Sequence, residues 1–277
     1  MQDTGIARYH NLFIAPVEGM QTGTRRRPAV FGTILRFILN DFVRSPWPVV
    51  NLLAIAGVQL FLFNYSPDRG HFFGVEYALA LALGVINAAA LFSRANRPES
   101  YAIFARPVSR AAFTGAIMLV SWLLAVLAHV VSGVAVVMRF GPVFVQTPAA
   151  GPVPPADAVT AFLNGSLPVV AGSALAVTLM SLLSAFVSPP GVRLGVLAVL
   201  AVLVMSFDSR NFPVEPLRPY LQHLPPVLAP IAGALKYATE PPADAVAVAS
   251  LIAVGVYALV LAVVVLLISG NRELVLD

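Results

Sequence analysis

Apolar residues in this chain gather into six stretches, at about 48–65, 72–93, 112–138, 159–188, 192–208 and 243–269, each long enough or nearly long enough to cross a bilayer. A hydrocarbon core about 30 Å thick takes roughly 20 helical residues, which is what most of these runs supply. Composition agrees. Hydrophobic residues make up 58%, charged residues 11%, and the mean hydropathy is +0.85, so the bilayer is the solvent in which this chain folds. The fold class expected is an all-α integral membrane protein with an N-terminal interfacial amphipathic helix and six transmembrane helices. The fifth stretch is the shortest: its clean run, Leu194 to Phe207, meets a Pro-rich segment at once and predicts a short or tilted span.

Residues 1–29 form a polar cytoplasmic N-terminal segment that ends in Arg25, Arg26, Arg27 and Pro28. No apolar run follows a short basic head there, which argues against a cleaved signal peptide and keeps the amino terminus in the cytoplasm. Cytoplasmic loops retain positive charge, and the Lys and Arg positions test this orientation. With both termini inside, 12 of the 17 basic residues fall on the inner side: Arg8, Arg25, Arg26, Arg27, Arg36, Arg44, Arg94, Arg97, Arg106, Arg110, Arg193 and Arg272. Arg69, Arg139, Arg210, Arg218 and Lys236 fall outside.

The net charge of +4 and pI near 9.8 do not call for nucleic acid, because the arginines flank spans and the orientation rule accounts for them. The chain has no cysteine, which excludes disulfides, thiolate metal sites and cysteine nucleophiles. His10, His71, His129 and His223 are too dispersed to make a metal motif by spacing. No GxxxxGK phosphate loop is present, so nucleotide hydrolysis by this chain is not expected.

Within residues 30–45, Phe31, Ile34, Leu35, Ile38 and Phe42 fall on one helical stripe, opposite Arg36, Asn40 and Arg44. This predicts an interfacial amphipathic helix with its apolar face in the headgroup boundary, against the alternative of a soluble helix packing on a partner. Pro46 and Pro48 break it, Trp47 anchors at the interface, and the six-span domain, 46–277, begins. In span two, Ala80, Gly84 and Ala88 make a small-residue face for close approach of another helix, from this chain or a second copy. Gly141 to Asp157 reads as an irregular external loop, and Ser188-Pro189-Pro190-Gly191 as a sharp internal turn. The sequon at Asn164 is discounted as a chance pattern. Residues 209–242 form an external segment whose apolar pieces, such as Val227 to Leu235, are too short to span and are expected to fold back at the outer leaflet.

The loop at 94–110 carries the strongest functional signal: Glu99-Ser-Tyr-Ala-Ile-Phe-Ala-Arg-Pro-Val-Ser-Arg110. A helix from about Pro98 to Ala105 would present Glu99, Tyr101 and Phe104 below the membrane, Pro107 would end it, and Ser109 could cap the next helix. The bland alternative is a capped turn with arginines obeying the orientation rule. With six spans, both ends inside, an interfacial helix and re-entrant structure before span six, the layout resembles the permease subunits of type-2 ABC transporters, the exporter class. In that family the loop after span two tends to hold a Glu, an amphipathic stretch, Pro-Val-Ser-Arg and then Gly-Lys. Glu99, Pro107, Val108, Ser109, Arg110 and Gly115 stand in those places, while the usual Arg-Gly-Thr after the glutamate is absent and Ala116 replaces the lysine.

The resemblance implies a type-2 ABC permease fold in the bacterial plasma (inner) membrane, and a coupling helix contacting an ATPase through Arg97, Glu99, Tyr101, Phe104 and Arg106. It implies two copies of a separate ABC ATPase, which would use ATP and Mg, a second permease, identical or homologous, and membrane lipid as surroundings. The pathway between permeases would be lined by spans one, two and five. No cofactor is expected on this chain, which would be a non-catalytic subunit moving substrate when its partner hydrolyses ATP.

Glu76 and His129 are ionisable residues within spans, and such groups usually face protein or water and find partners. They are the candidate pathway residues, and a structural pair at similar depth is favoured over substrate contact. Asn51, Asn64 and Asn87 are expected to form interhelical hydrogen bonds. A second class of function is an ion-coupled secondary transporter centred on Glu76 and His129, for which matching broken spans would be expected and are not seen. A third is an intramembrane serine enzyme using Ser166, Ser173 and His129, although no GxSG motif is present. The topology has a direct test: labels at Arg97 and Gly191 should react only from the cytoplasmic side and labels at Ser66 and Pro219 only from outside. Reversed accessibility would overturn it.

Overall fold

The computed structural model describes residues 27–95, 109–143, 155–187, 191–193, 195–197, 229–239 and 245–271, and no strand occurs among them. In chain order the longer elements are α1 (Arg27–Val43), α2 (Trp47–Gly57) leading into a π turn (Val58–Leu62), α3 (Arg69–Ala95), α4 (Arg110–Phe140), α5 (Pro155–Phe186), α6 (Ala229–Thr239) and α7 (Ala245–Asn271). Among the described residues four helices, α3, α4, α5 and α7, are long and apolar enough to cross a membrane, and α1 with α2 adds a fifth if the bent pair is one span. This is the helical make-up of a multi-pass membrane protein. The stretches at 72–93, 112–138, 159–188 and 243–269 correspond to these four helices with shifted ends, because main-chain bonding in α3 and α4 continues past the apolar run to Arg69 and Arg139. Most of 192–208 lies outside the described residues, although Leu197 is buried in a cluster with Met180 and Val265.

The first expected span departs furthest from its sequence reading. Helical bonding from Trp47 ends at Leu62, and the last part has the wider π geometry rather than α. At the other end α1 meets α2 at 66°. Ser45 closes this corner: its Oγ donates to the Phe42 carbonyl at 2.5 Å and accepts from the Trp47 N–H at 3.3 Å. Pro48 sits in the first turn of α2, where a missing N–H costs no helical bond.

The stripe of α1 does not wait for lipid. Ile34, Ile38 and Phe42 are buried with Leu91 of α3 and Phe113, Ala116, Ile117 and Val120 of α4. Packing onto the chain's own helix ends replaces the headgroup contact expected from the sequence. Phe37, Leu39 and Val43 stay exposed on another face, so α1 carries two apolar surfaces.

α3 is flanked by α4, α5 and α6, and its seam with α5 is built on glycines. The Phe73 ring covers Gly165 and the Tyr77 ring covers Gly172, each filling the space that a Cβ would need. Further along, a Cβ on Gly84 would stand 3.2 Å from Val177 Cγ2 and 3.4 Å from the Ser173 carbonyl oxygen. Ala80 and Ala88 are buried with Val169 and Val177 of the same partner helix, so the neighbour of this small-residue face belongs to this chain. Without a hydrophobic drive between helices in lipid, such close approach is a main source of association.

Helix ends are defined by local chemistry. Ser109 caps α4, its Oγ accepting from the Ala112 N–H at 3.0 Å, as the sequence suggests. Gly141, at φ 79°, stops the same helix in a conformation that side chains disfavour. At the end of the bundle away from α1, the 11-residue α6 is too short to cross and packs against α3, α5 and α7. Arg69 Nε fastens it by donating to the Ala238 carbonyl at 2.8 Å. α6 is the part of the 209–242 segment that the structure describes, and it holds the expected folded-back apolar piece. α7 closes the bundle and leaves Ile252, Leu259 and Leu267 exposed, as a lipid-facing surface would.

Gly165→Ala and Gly172→Ala should each destabilise the protein by about 1–3 kcal/mol, the usual cost of overpacking. Gly255→Ala, where a Cβ meets nothing within 4 Å, should be neutral or stabilising. Thermal unfolding in detergent checks the contrast, and equal behaviour of the three variants would contradict the glycine seam.

Candidate functional site

Two turns or so into α3 from its Arg69 end, three long helices and the π turn converge on polar side chains that hydrocarbon cannot satisfy. Glu76 of α3 is 0% exposed and His129 of α4 is 1% exposed, with His129 Nδ1 2.9 Å from Glu76 Oε2. Ser132 lies one turn beyond His129 on the same face of α4, and its Oγ donates to Glu76 Oε1 at 2.5 Å. From the π turn, Gln59 Nε2 donates to Ser132 Oγ at 2.7 Å and to the Ser132 carbonyl at 3.2 Å. From α5, Ser166 Oγ stands 2.9 Å from His129 Nε2 and donates to the Phe162 carbonyl at 2.7 Å. The imidazole stacks on Phe162 at 5.4 Å between centroids and 11° between planes, with Phe72 at 6.3 Å.

These contacts allow a fully satisfied proton arrangement. The Phe162 carbonyl can only accept, and with the Ser166 hydroxyl proton turned to it, Ser166 accepts from His129 Nε2–H. Gln59 can only donate through Nε2, so Ser132 accepts from Gln59 and spends its own proton on Glu76. One proton remains between Nδ1 and Oε2. Whether it sits on nitrogen or oxygen, the pair has no net charge. That matters in a low-dielectric interior, where an uncompensated charge is costly and a paired, fully hydrogen-bonded one is tolerated.

Glu76 and His129, the two candidate pathway residues, are thus brought together at one depth as a pair. Ser132 and Gln59 escaped sequence reasoning, although a His and a Ser three residues apart inside an apolar span was a usable signal. Ser166, His129 and Glu76 stand in the order that nucleophilic sites use, with Ser166 Oγ within hydrogen-bond distance of both His129 Nε2 and the Phe162 carbonyl of its own helix. Ser173 is apart from this group and donates to the Val170 carbonyl at 3.0 Å. The sequon at Asn164 lies inside α5 with Ser166 buried.

The asparagines differ from their expected role. Asn87 is fully buried and neither its Oδ1 nor its Nδ2 has a partner, Asn51 Oδ1 is likewise unpartnered, and Asn64 is exposed. Among the described residues no group of three or more His, Asp or Glu side chains is arranged to hold a metal ion. Arg97, Glu99, Tyr101, Phe104 and Arg106 lie outside the described residues. Comparison with protein-family models, with curated proteins and with solved structures gives no match for this chain.

Glu76→Ala should cost about 3–5 kcal/mol, because it strands a buried imidazole and the Ser132 hydroxyl. Glu76→Met with His129→Leu, which removes both partners at similar volume, should recover most of that loss. Melting temperatures in detergent decide it. Additive losses in the double variant would show that the two residues do not act as a pair.

Proposed function

We propose that the chain is the transmembrane permease subunit of an ABC exporter with the type-2 fold, working with a second permease and two copies of a separate ATPase. The observation that carries the reading is the arrangement at the α1 end of the bundle. An amphipathic helix is docked by its stripe at the point where α3 and α4 begin and end, and it is joined by a sharp corner to a lone, poorly packed α2. Leu91 and Phe113 meet in that same cluster, so the helix ends that bracket residues 96–108 stand side by side there.

Two further features support the reading. The short α6 at the opposite end accords with the folded-back segment expected before the last span in such permeases. Exposed apolar residues of α2 and its π turn, including Leu52, Leu53, Leu60 and Phe61, leave one side of the bundle free for a second permease. In this reading ATP-driven closure of the ATPases pushes on residues 95–106 and rocks two permeases about the pathway between them. Glu76 and His129 then sit beside α2 in the outer half, as a structural pair rather than a substrate contact.

The test uses the assembled complex in vesicles, with ATP hydrolysis and transport measured together. Glu99→Lys and Phe104→Asp should each lower transport per ATP by roughly 5–150-fold, the range of a typical coupling free energy, with membrane insertion intact. Unchanged transport in both variants, or a purified chain that holds no ATPase stoichiometrically, would contradict the proposal.

A further inference from the structure

The network around Glu76 has two consistent proton patterns, and the one described above is the fuller. If it loses one proton, the remaining one settles between His129 Nδ1 and Glu76 as Nδ1–H···carboxylate, and Nε2 becomes a bare acceptor. Ser166 Oγ, 2.9 Å away, can no longer receive a proton from that nitrogen. Its hydroxyl has to rotate from the Phe162 carbonyl onto Nε2 for both atoms to stay satisfied. The group then changes from no net charge to one negative charge, centred on Glu76, with the lost proton passed to solvent base.

An added charge at a buried carboxylate draws on the donors that face it. Glu76 has two, His129 Nδ1 and Ser132 Oγ, and Ser132 is itself held by Gln59 of the π turn. The same turn is held from behind, because Arg139 Nη1 donates to the carbonyls of Gln59 and Phe63 at 3.3 Å each. The π turn is therefore tied both to the Glu76 group and to the cation nearest it along α4. Its own apolar side chains are left open, with Leu60 64% and Phe61 81% exposed. π turns inside helices recur where a segment must shift.

Other charged or titratable side chains on the surrounding elements are engaged elsewhere or lie further out. On α3, Arg69 bonds the Ala238 carbonyl, His71 Nε2 meets the Leu62 carbonyl at 3.0 Å, and Tyr77 lies against Gly172. α5 brings Asp157, near its first turn, and α6 brings Lys236 and Tyr237. None of these is a hydrogen-bond partner of Glu76 or His129, and α2 with its π turn brings no titratable residue.

We propose that Glu76 and His129 form a binding site for a single exchangeable proton, and that release of this proton is transmitted through Ser132 and Gln59 to the π turn of α2. The inference stands without the transport reading, since it needs only this chain. In a permease it would make the helix that faces the second copy responsive to the proton content of the bundle.

The absence of cysteine allows a single reporter. Phe61→Cys carries a spin label in lipid nanodiscs, while infrared difference spectra of the same sample follow the carboxyl and imidazole bands, from about pH 5 to about pH 9. The expected result is one transition of one-proton steepness, seen at the same midpoint by the label and by the infrared bands. Glu76→Gln should abolish it in both, and His129→Gln carries the same expectation if the first variant does not insert. Ser132→Ala should keep the infrared transition and lose the label shift. A label transition that survives Glu76→Gln, an infrared spectrum without a transition, or a label shift unchanged in Ser132→Ala would each overturn the proposal.

Discussion

A carboxylate with no exposed surface has to be answered by protein, and in this bundle the answer comes from three directions at once. Glu76 fixes His129 and Ser132 of α4, His129 fixes Ser166 of α5, and Ser132 fixes Gln59 of the π turn. Hydrogen bonds are directional where apolar packing is not, so this group sets rotation and depth for helices whose outer surfaces are nearly uniform in lipid. α7 illustrates the contrast, since it is apolar almost throughout and leaves most of its surface uncovered.

Around that group the apolar packing follows the small residues. Phe73 and Tyr77 can lie flat on Gly165 and Gly172 only because α3 and α5 run close together, and the same approach brings Phe72 and Phe162 over the imidazole. The aromatic cover and the polar group are therefore products of one helix seam. At the far end, where α1 packs on α3 and α4, the bundle uses ordinary apolar contacts instead. A pump subunit of the proposed kind needs these two properties apart: a firm outer half, and an inner end on which a motor can push.

Much of this was legible in the sequence, and the exceptions have physical causes. Run length located α3, α4, α5 and α7, because a span must match the thickness of hydrocarbon whatever its neighbours. The Ser109 cap was readable because it is a purely local hydrogen bond. Glu76 and His129 stood out as ionisable groups in apolar runs, and similar depth made their pairing foreseeable. The π turn was hidden, since an apolar run such as Val58 to Leu62 reads the same with either hydrogen-bond step. The burial of the α1 stripe against Leu91 and Phe113 was equally hidden, because periodicity marks an apolar face without naming what covers it. Asn87 shows the reverse error: a polar residue in a span suggests a partner, and Asn87 has none among the described residues.

The most direct test of the account is the ring nitrogen spectrum of His129, recorded near neutral pH on nitrogen-labelled protein in lipid and assigned by its loss in His129→Gln. The account predicts that both ring nitrogens are hydrogen-bonded, Nε2 with a hydroxyl oxygen and Nδ1 with a carboxyl group. A ring nitrogen with no hydrogen-bond partner would contradict the closed network that holds α2, α3, α4 and α5 together.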